Sequence, residues 1–522
     1  MKRFKKGTIL LTSILLMIFM TMTGCSGNSS SNSTSSNGGD NASGGLKPYE
    51  VVMVYPNAPQ KDTALVQDAM NEYLKKTYPE LNVSVKLNPI DWGAWTDKTN
   101  LMMASGEKFD LIFTANWLNF QQQVTKGALL PLDDLLAKYG PDIEAVEKDY
   151  HDAAKRGGKL YGIHTHQELG NPQGLAFSKE LVDKYHFDLS VFKSGDIKDL
   201  EPMLKVIKEN EPDVTPFVIP AYPLDAYYGN GSNDGVANVA VLPLDAAPGN
   251  EYKVVDSYET PKYMELAKLM NSWFKNGYIN KDATTAGLDN WKKFQAKRAF
   301  ATMADMDIIA DLEIGKAAPM PSKSTSTGTD IIQVPLKIDR LQTDKMAAAM
   351  QGISKTSKDP ERAMMLLNLF YKDKNLLTLF NFGVEGKHYV LKNGQIALPD
   401  GKTSDSVGYY PGTEYQIGNQ LLNYTRVGED PNKYKNYEQF NKKVAEKKSR
   451  VFGFVFDPEP VKDIMISLDN AKKQYDEGLK SGQLNPEENL PKLVDKMKAA
   501  GLDKFMAEAQ RQLDEWRKAN NN

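Results

Sequence analysis

Aromatic rings set beside carboxylates and amides recur along this chain where it reads as loop. Asp91, Trp92 and Trp95 stand together, Asn116 directly precedes Trp117, and Tyr222, Tyr227 and Tyr228 share a Tyr-rich stretch between Pro220 and Gly229. Asp305 and Asp307 follow an apolar run, Tyr409 and Tyr410 sit in a late polar segment, and Glu168 lies in a polar connector. Aromatic faces bury C–H surface, whereas carboxylates and amides make directional hydrogen bonds. These types together suit non-covalent capture of a solute with flat C–H faces and hydroxyl edges, such as a sugar. The plainer role of any one ring is to fill a core. Trp92, Trp117 and Tyr222 stand apart because polar loop residues border them.

Two other groups could do different chemistry. His164 and His166 alternate around Thr165, which puts both on one face of an extended segment, and Glu168 continues that face. A zinc ion is conceivable there, yet the chain holds five His and one Cys in all, and no further ligand cluster emerges. The expectation is no metal and no cofactor, with His164 hydrogen-bonding in a cleft or hinge. The chain shows no Gly-x-Ser-x-Gly, P-loop, His-Glu-x-x-His or strand-to-helix Gly-x-Gly-x-x-Gly. No catalytic residue is expected, although a glycosidase needs only two facing carboxylates and Asp91 with Glu168 is a conceivable pair.

The elements that must position these residues alternate in kind. Tyr49 to Tyr55 reads as a buried strand stopped by Pro56-Asn57-Ala58-Pro59. Thr63 to Tyr78 puts Leu65, Ala69, Met70, Tyr73 and Leu74 on one helical face, and Leu81 to Leu87 then alternates with period two. A helix from Trp95 to Ala104, a strand from Phe109 to Phe113 and a helix from Leu118 to Lys126 repeat the unit. Such alternation predicts an α/β fold with a parallel sheet covered on both faces. Ligands of such sheets bind beyond the carboxyl ends of the strands, where Asn57, Asp91, Trp92, Asn116 and Trp117 fall. Gly157 to Ile163 reads as a turn and short strand that crosses into a second lobe, which opens with a helix from Ser178 to Tyr185. Later helices at 261–275, 291–296 and 360–371, and a charged helical region at 460–517, make the late chain mainly helical.

The N-terminus carries Lys2, Arg3, Lys5 and Lys6, then an apolar run from Ile9 to Met20 and small residues up to Cys25. That order is a secretion signal, and the run is shorter than the roughly 20 residues of a spanning helix. With a single Cys no intramolecular disulfide can form. Residues 26–45 are nearly all Ser, Asn, Gly and Thr, a flexible tether spanning on the order of 25 Å. Loss of residues 1–24 removes four positive charges and no negative ones, taking the formal charge from −3 to −7, which gives no reason to expect nucleic acid.

Met22-Thr23-Gly24-Cys25 resembles a lipobox, which implies cleavage before Cys25 and lipidation of its thiol. Several segments in order resemble the extracellular solute-binding lipoproteins of carbohydrate ABC importers, the LplA/LipO-like members of family 1 in particular. They are Phe109 to Phe113, Gly127 to Leu135, Gly158 to Gly162, and Gly352-Ile353-Ser354 ahead of Pro360 to Ala363. Gly383 to Tyr389, Gly453 to Asp457 and Glu508 to Trp516 resemble a C-terminal domain of unknown function found in that subset.

The resemblance implies a two-lobed periplasmic-binding-protein-like fold with three interlobe crossings, near Ile163, Trp291 and Ile353, and a largely helical C-terminal region. Residues 1–24 would be the lipoprotein signal and 25–45 the lipidated Cys25 and tether. Lobe one would be 46–163 plus 292–352, and lobe two 164–291 plus 353–522. It further implies a monomeric receptor on the outer face of the cytoplasmic membrane of a Gram-positive envelope, held by lipid alone. That receptor would close a hinge over an oligosaccharide and deliver it to ABC-transporter permease subunits. A secreted lipoprotein glycosidase, or a receptor for another solute such as a peptide, remain the alternatives. An acidic uronate ligand would require Arg or Lys in the cleft, and Arg298 and Arg426 are the residues whose placement matters.

Overall fold

The strand Tyr49–Pro56 is buried from Val51 onward and lies between two parallel neighbours. One of them, Val83–Ile90, pairs residue for residue from Tyr49 with Val83 to Pro56 with Ile90. The other is Leu111–Thr114, and the five-strand sheet is completed by Met350–Ile353 and Ile163–His164. This computed structural model describes residues 46–219, 233–284, 291–338 and 340–520. Helix Thr63–Thr77 covers the sheet through Val66, Met70 and Leu74; Met70 and Leu74 are on the expected stripe, whereas Val66 takes the place of Leu65, which is 37% exposed. Gln67 and Asn71 on that helix accept from the backbone amides of Leu87 and Val85, which ties it to the outer strand.

A second five-strand sheet runs in the order Ala318–Pro319, Ile331–Lys337, Gln173–Ser178, Ala299–Asp305, Thr215–Val218. Its core takes in the C-terminal helices Pro486–Ala499 and Leu502–Ala519 through Leu493, Met497, Phe505 and Leu513. The two-lobed α/β architecture with a helical C-terminal region is thus present, but two of the expected lobe assignments differ. Ala299–Asp305 and Ile331–Lys337 belong to the second sheet, and Phe294 packs with Ala176 and Val218 of that sheet, so the chain does not cross near Trp291. The physical reason is that Ala299 to Met303 is buried throughout and pairs on both edges. A central strand of that kind reads identically in either sheet.

Conversely, helices Pro360–Leu369 and Lys374–Phe382 pack into the first core, together with Tyr409 and Ile417. The chain leaves the first sheet after His164, re-enters it at Met350, and passes to the second core again before Val451. A separate small core of Leu169, Ile308, Leu341, Met346, Phe440, Val444 and Phe452 binds these passages together. Thr165 donates its amide to the Ala349 carbonyl and His166 to that of Gly418, so the three passages run side by side.

Candidate functional site

At the carboxyl ends of the first sheet the chain exposes two indoles. Trp92, in the 3-10 turn Trp92–Ala94, and Trp117, in the turn Asn116–Leu118, stack at 5.7 Å with 27° between planes. They remain 42% and 55% exposed, although an unsupported apolar ring would fold inward. The support is Phe113, fully buried, which meets Trp92 edge-on at 6.4 Å and Trp117 at 6.5 Å. Trp95 lies beneath, 2% exposed, so it is a prop for the pair and not a contacting face, contrary to the expectation that it binds ligand directly.

Polar residues lock this platform. Asp91 caps its turn by accepting from the Gly93 amide at 2.8 Å. The Trp117 indole N–H donates to the Ala348 carbonyl at 2.8 Å, and Asn116 Nδ2 donates to Asp344 Oδ1 at 2.7 Å. The platform is therefore fastened to the passage 344–348, the same segment that carries Lys345 into a cavity beside it. Nearby, Tyr410 is 37% exposed in a loop held over the end of strand Tyr49–Pro56 by Asn57, whose Nδ2 donates to the Pro411 carbonyl. The Arg426 guanidinium lies 4.4 Å above the Tyr410 ring and is ion-paired with Glu414.

The cavity has a volume of about 410 Å³ and is built from all three passages and the end of the second sheet. It brings together Glu168, Asp305 and Asp307, three of the residues singled out in the sequence, with Asn171, Lys345, Glu429, Asp430, Lys433 and Tyr437. Lys345 Nζ donates to Glu168 Oε1 at 3.0 Å and to Asn171 Oδ1 at 2.9 Å. Lys433 Nζ, at the start of the helix Lys433–Ala445, donates at 2.8 Å to Oε1 of Glu429 in the segment leading into it. Asp307 accepts from the amide and hydroxyl of Ser322, and Asp430 from Asn436 Nδ2 at 2.8 Å. Asp305 is exposed and accepts from Gln173 Nε2 at 3.1 Å. Burial and the neighbouring Glu168 carboxylate push the Tyr437 phenol well above its ordinary value, so it stays protonated as a donor.

Other expected site residues lie elsewhere. Tyr409 is 1% exposed in the first core and donates to the Phe380 carbonyl at 2.6 Å, so it is a core residue and not a ligand contact. His164 is fully buried, and its imidazole is held down to about 3 by burial, with His151 and Arg156 adding to the effect. His164 and His166 do share a face, but that face meets Glu147, at 3.6 Å and 2.6 Å, while Glu168 turns to Lys345 in the cavity. Burial pushes the Glu147 carboxyl up, opposed by His166 and His151. Among the described residues no group of three or more His, Cys, Asp or Glu is arranged to hold a metal ion. Cys25, Tyr222, Tyr227 and Tyr228 lie outside the described residues.

Residues 55–376 match the family model for "Bacterial extracellular solute-binding protein", and residues 450–518 match "Domain of unknown function (DUF3502)". A carbohydrate ABC transporter substrate-binding protein of Streptococcus pneumoniae is 28% identical over 91% of this chain and 92% of its own length. Lipoprotein LipO of Bacillus subtilis is 23% identical over 94% and 89%. The crystal structure of the N-glycan transport solute binding protein NgtS from Streptococcus pneumoniae superposes with a TM-score of 0.73 at 25% identity, over 90% of this chain and 99% of that one. The same protein in complex with Man1GlcNAc superposes at 0.64 and 26% identity, over 90% of this chain and all of that one.

Proposed function

This chain belongs to the bacterial extracellular solute-binding protein family, and we propose that it is a receptor that captures an oligosaccharide at the Trp92–Trp117 platform and the adjoining cavity. The observation that carries this reading is the stacked, half-exposed indole pair, braced from below and fastened to the segment 344–348, whose Lys345 lines a cavity of hydrogen-bonding groups. Apolar rings beside carboxylates, amides and a phenol match the C–H faces and hydroxyl rims of sugars. Likeness along nearly the whole chain to a carbohydrate substrate-binding protein, and to NgtS with a bound glycan, supports the same reading.

The receptor acts as a monomer, without catalysis, and presents its sugar to the permease subunits of an ABC importer. Asp91 and Glu168, the conceivable hydrolytic pair, are each engaged in holding structure: a turn cap and an ion pair. Hinge closure about the passages at Glu168, Lys345 and Lys433 would seal the cleft by contacts available only in the closed form. Lipidation of Cys25 and the Ser/Asn/Gly tether would keep the receptor at the outer membrane surface. No helix among the described residues is long and apolar enough to cross a membrane.

A thermal-shift screen of the chain from Gly45 onward against plant and microbial oligosaccharides, with product analysis of every hit, tests the proposal. A raised melting temperature with intact sugar recovered is expected. Cleaved sugar would point to a glycosidase, and silence across the panel would turn attention to peptides and other solutes.

A further inference from the structure

We infer that the cleft selects uncharged glycans and turns away those bearing carboxylates such as uronic acids. This rests on the proposed receptor function and sharpens its substrate class. The cavity lining carries five carboxylates against two ammonium groups. Each ammonium group is ion-paired with a carboxylate of the same lining, Lys345 with Glu168 and Lys433 with Glu429. That leaves Asp305, Asp307 and Asp430, whose contacts are with the neutral Gln173, Ser322 and Asn436, as carboxylates without a cationic partner in the lining. Such groups grip hydroxyl donors well and repel a carboxylate, the more so in a partly closed cleft where screening is weak.

The two arginines that could have rescued an anionic ligand are placed against it. Arg426 is taken by Glu414 beside Tyr410. Arg298 precedes Ala299, at the opposite end of the strand from Asp305, roughly 20 Å away at strand rise. The segments 220–232 and 285–290 and position 339 contain Asp225, Asp289 and Asp339 and no Lys or Arg. Recognition of a uronate would call for a guanidinium fork or ammonium not already paired with a carboxylate, and the described cavity lining holds none.

The test uses the neutral oligosaccharide that raises the melting temperature most, its derivative with primary alcohols oxidised to carboxylates, and the uncharged primary amide of that derivative. Calorimetric titration is expected to give a dissociation constant at least tenfold weaker for the carboxylate than for the amide. Raising salt narrows that gap, as does Asp305→Asn, while affinity for the neutral sugar stays independent of salt. Carboxylate binding equal to or tighter than amide binding overturns the inference and leaves the receptor reading intact. No binding of any glycan, charged or neutral, overturns the receptor reading itself and the inference with it.

Discussion

The platform and the cavity beside it solve opposite problems. At the platform, apolar surface is kept out in water, and buried Phe113 and Trp95 hold it there. In the cavity, charged groups are drawn together, and ion pairs such as Lys345 with Glu168 hold them in place. On the proposed reading the first would supply contact area to any sugar with a C–H face. The second would supply directed acceptors, and on the proposed reading it would decide which sugar and in what orientation. Affinity should therefore be most sensitive to the rings and selectivity to the carboxylates, a division that substitutions can break.

The largest loss is expected from Trp117→Ala, which should weaken sugar binding by about 1–3 kcal/mol, as for a central aromatic anchor. Because the ring is 55% exposed, the melting temperature should hardly move. Calorimetry beside thermal melts checks both, and unchanged affinity would return Trp117 to a packing role. The buried face of the crossing strand should respond to acid instead. His164, held down to about 3, stays neutral in the fold while the unfolded chain takes up a proton below about pH 6.5. Its contribution to stability is therefore lost as pH falls from about 6.5 towards 3, by about 2 kcal/mol at pH 5. Glu147, pushed up by burial, has the opposite sign and costs stability above the ordinary carboxylate range. His164→Gln should accordingly flatten the acid limb of stability against pH, read by denaturant melts from pH 7 to 5. A limb of unchanged slope would show that His164 does not contribute.

Smaller effects separate neighbours. Tyr409→Phe removes the hydrogen bond to the Phe380 carbonyl and should cost about 1 kcal/mol of stability with sugar affinity unaltered. Glu168→Gln loosens Lys345 in a site where both side chains are about one-fifth exposed, so less than about 1 kcal/mol of affinity should be lost. A double-mutant cycle with Lys345→Met measures that coupling, and additive losses would show that the pair does not order the cavity.

Much of this arrangement was legible in the chain before its structure. Asp91, Trp92, Asn116 and Trp117 follow short apolar strands, and the rule that ligands gather at carboxyl ends of strands finds them. Tyr409 and Tyr410 look equivalent in sequence, yet one turns into the core and the other over Arg426, which only packing decides. Glu429, Lys433 and Tyr437 carried no local signal. Their place depends on helix Lys433–Ala445 returning along the crossing strands, with Asn441 donating to the Gln167 carbonyl. The misplacement of residues 299–337 has the same root, since a strand buried on both faces does not announce its sheet.

The most direct test of the central claim is a titration of intrinsic tryptophan fluorescence with the sugar found by the screen, on the wild-type chain and on Trp92→Phe/Trp117→Phe. The account predicts a saturable change in the wild type, with a midpoint equal to the calorimetric dissociation constant, and loss of most of that change together with weaker binding in the double variant. Full affinity and an undiminished signal in the double variant would contradict it, because the sugar would then bind away from the platform.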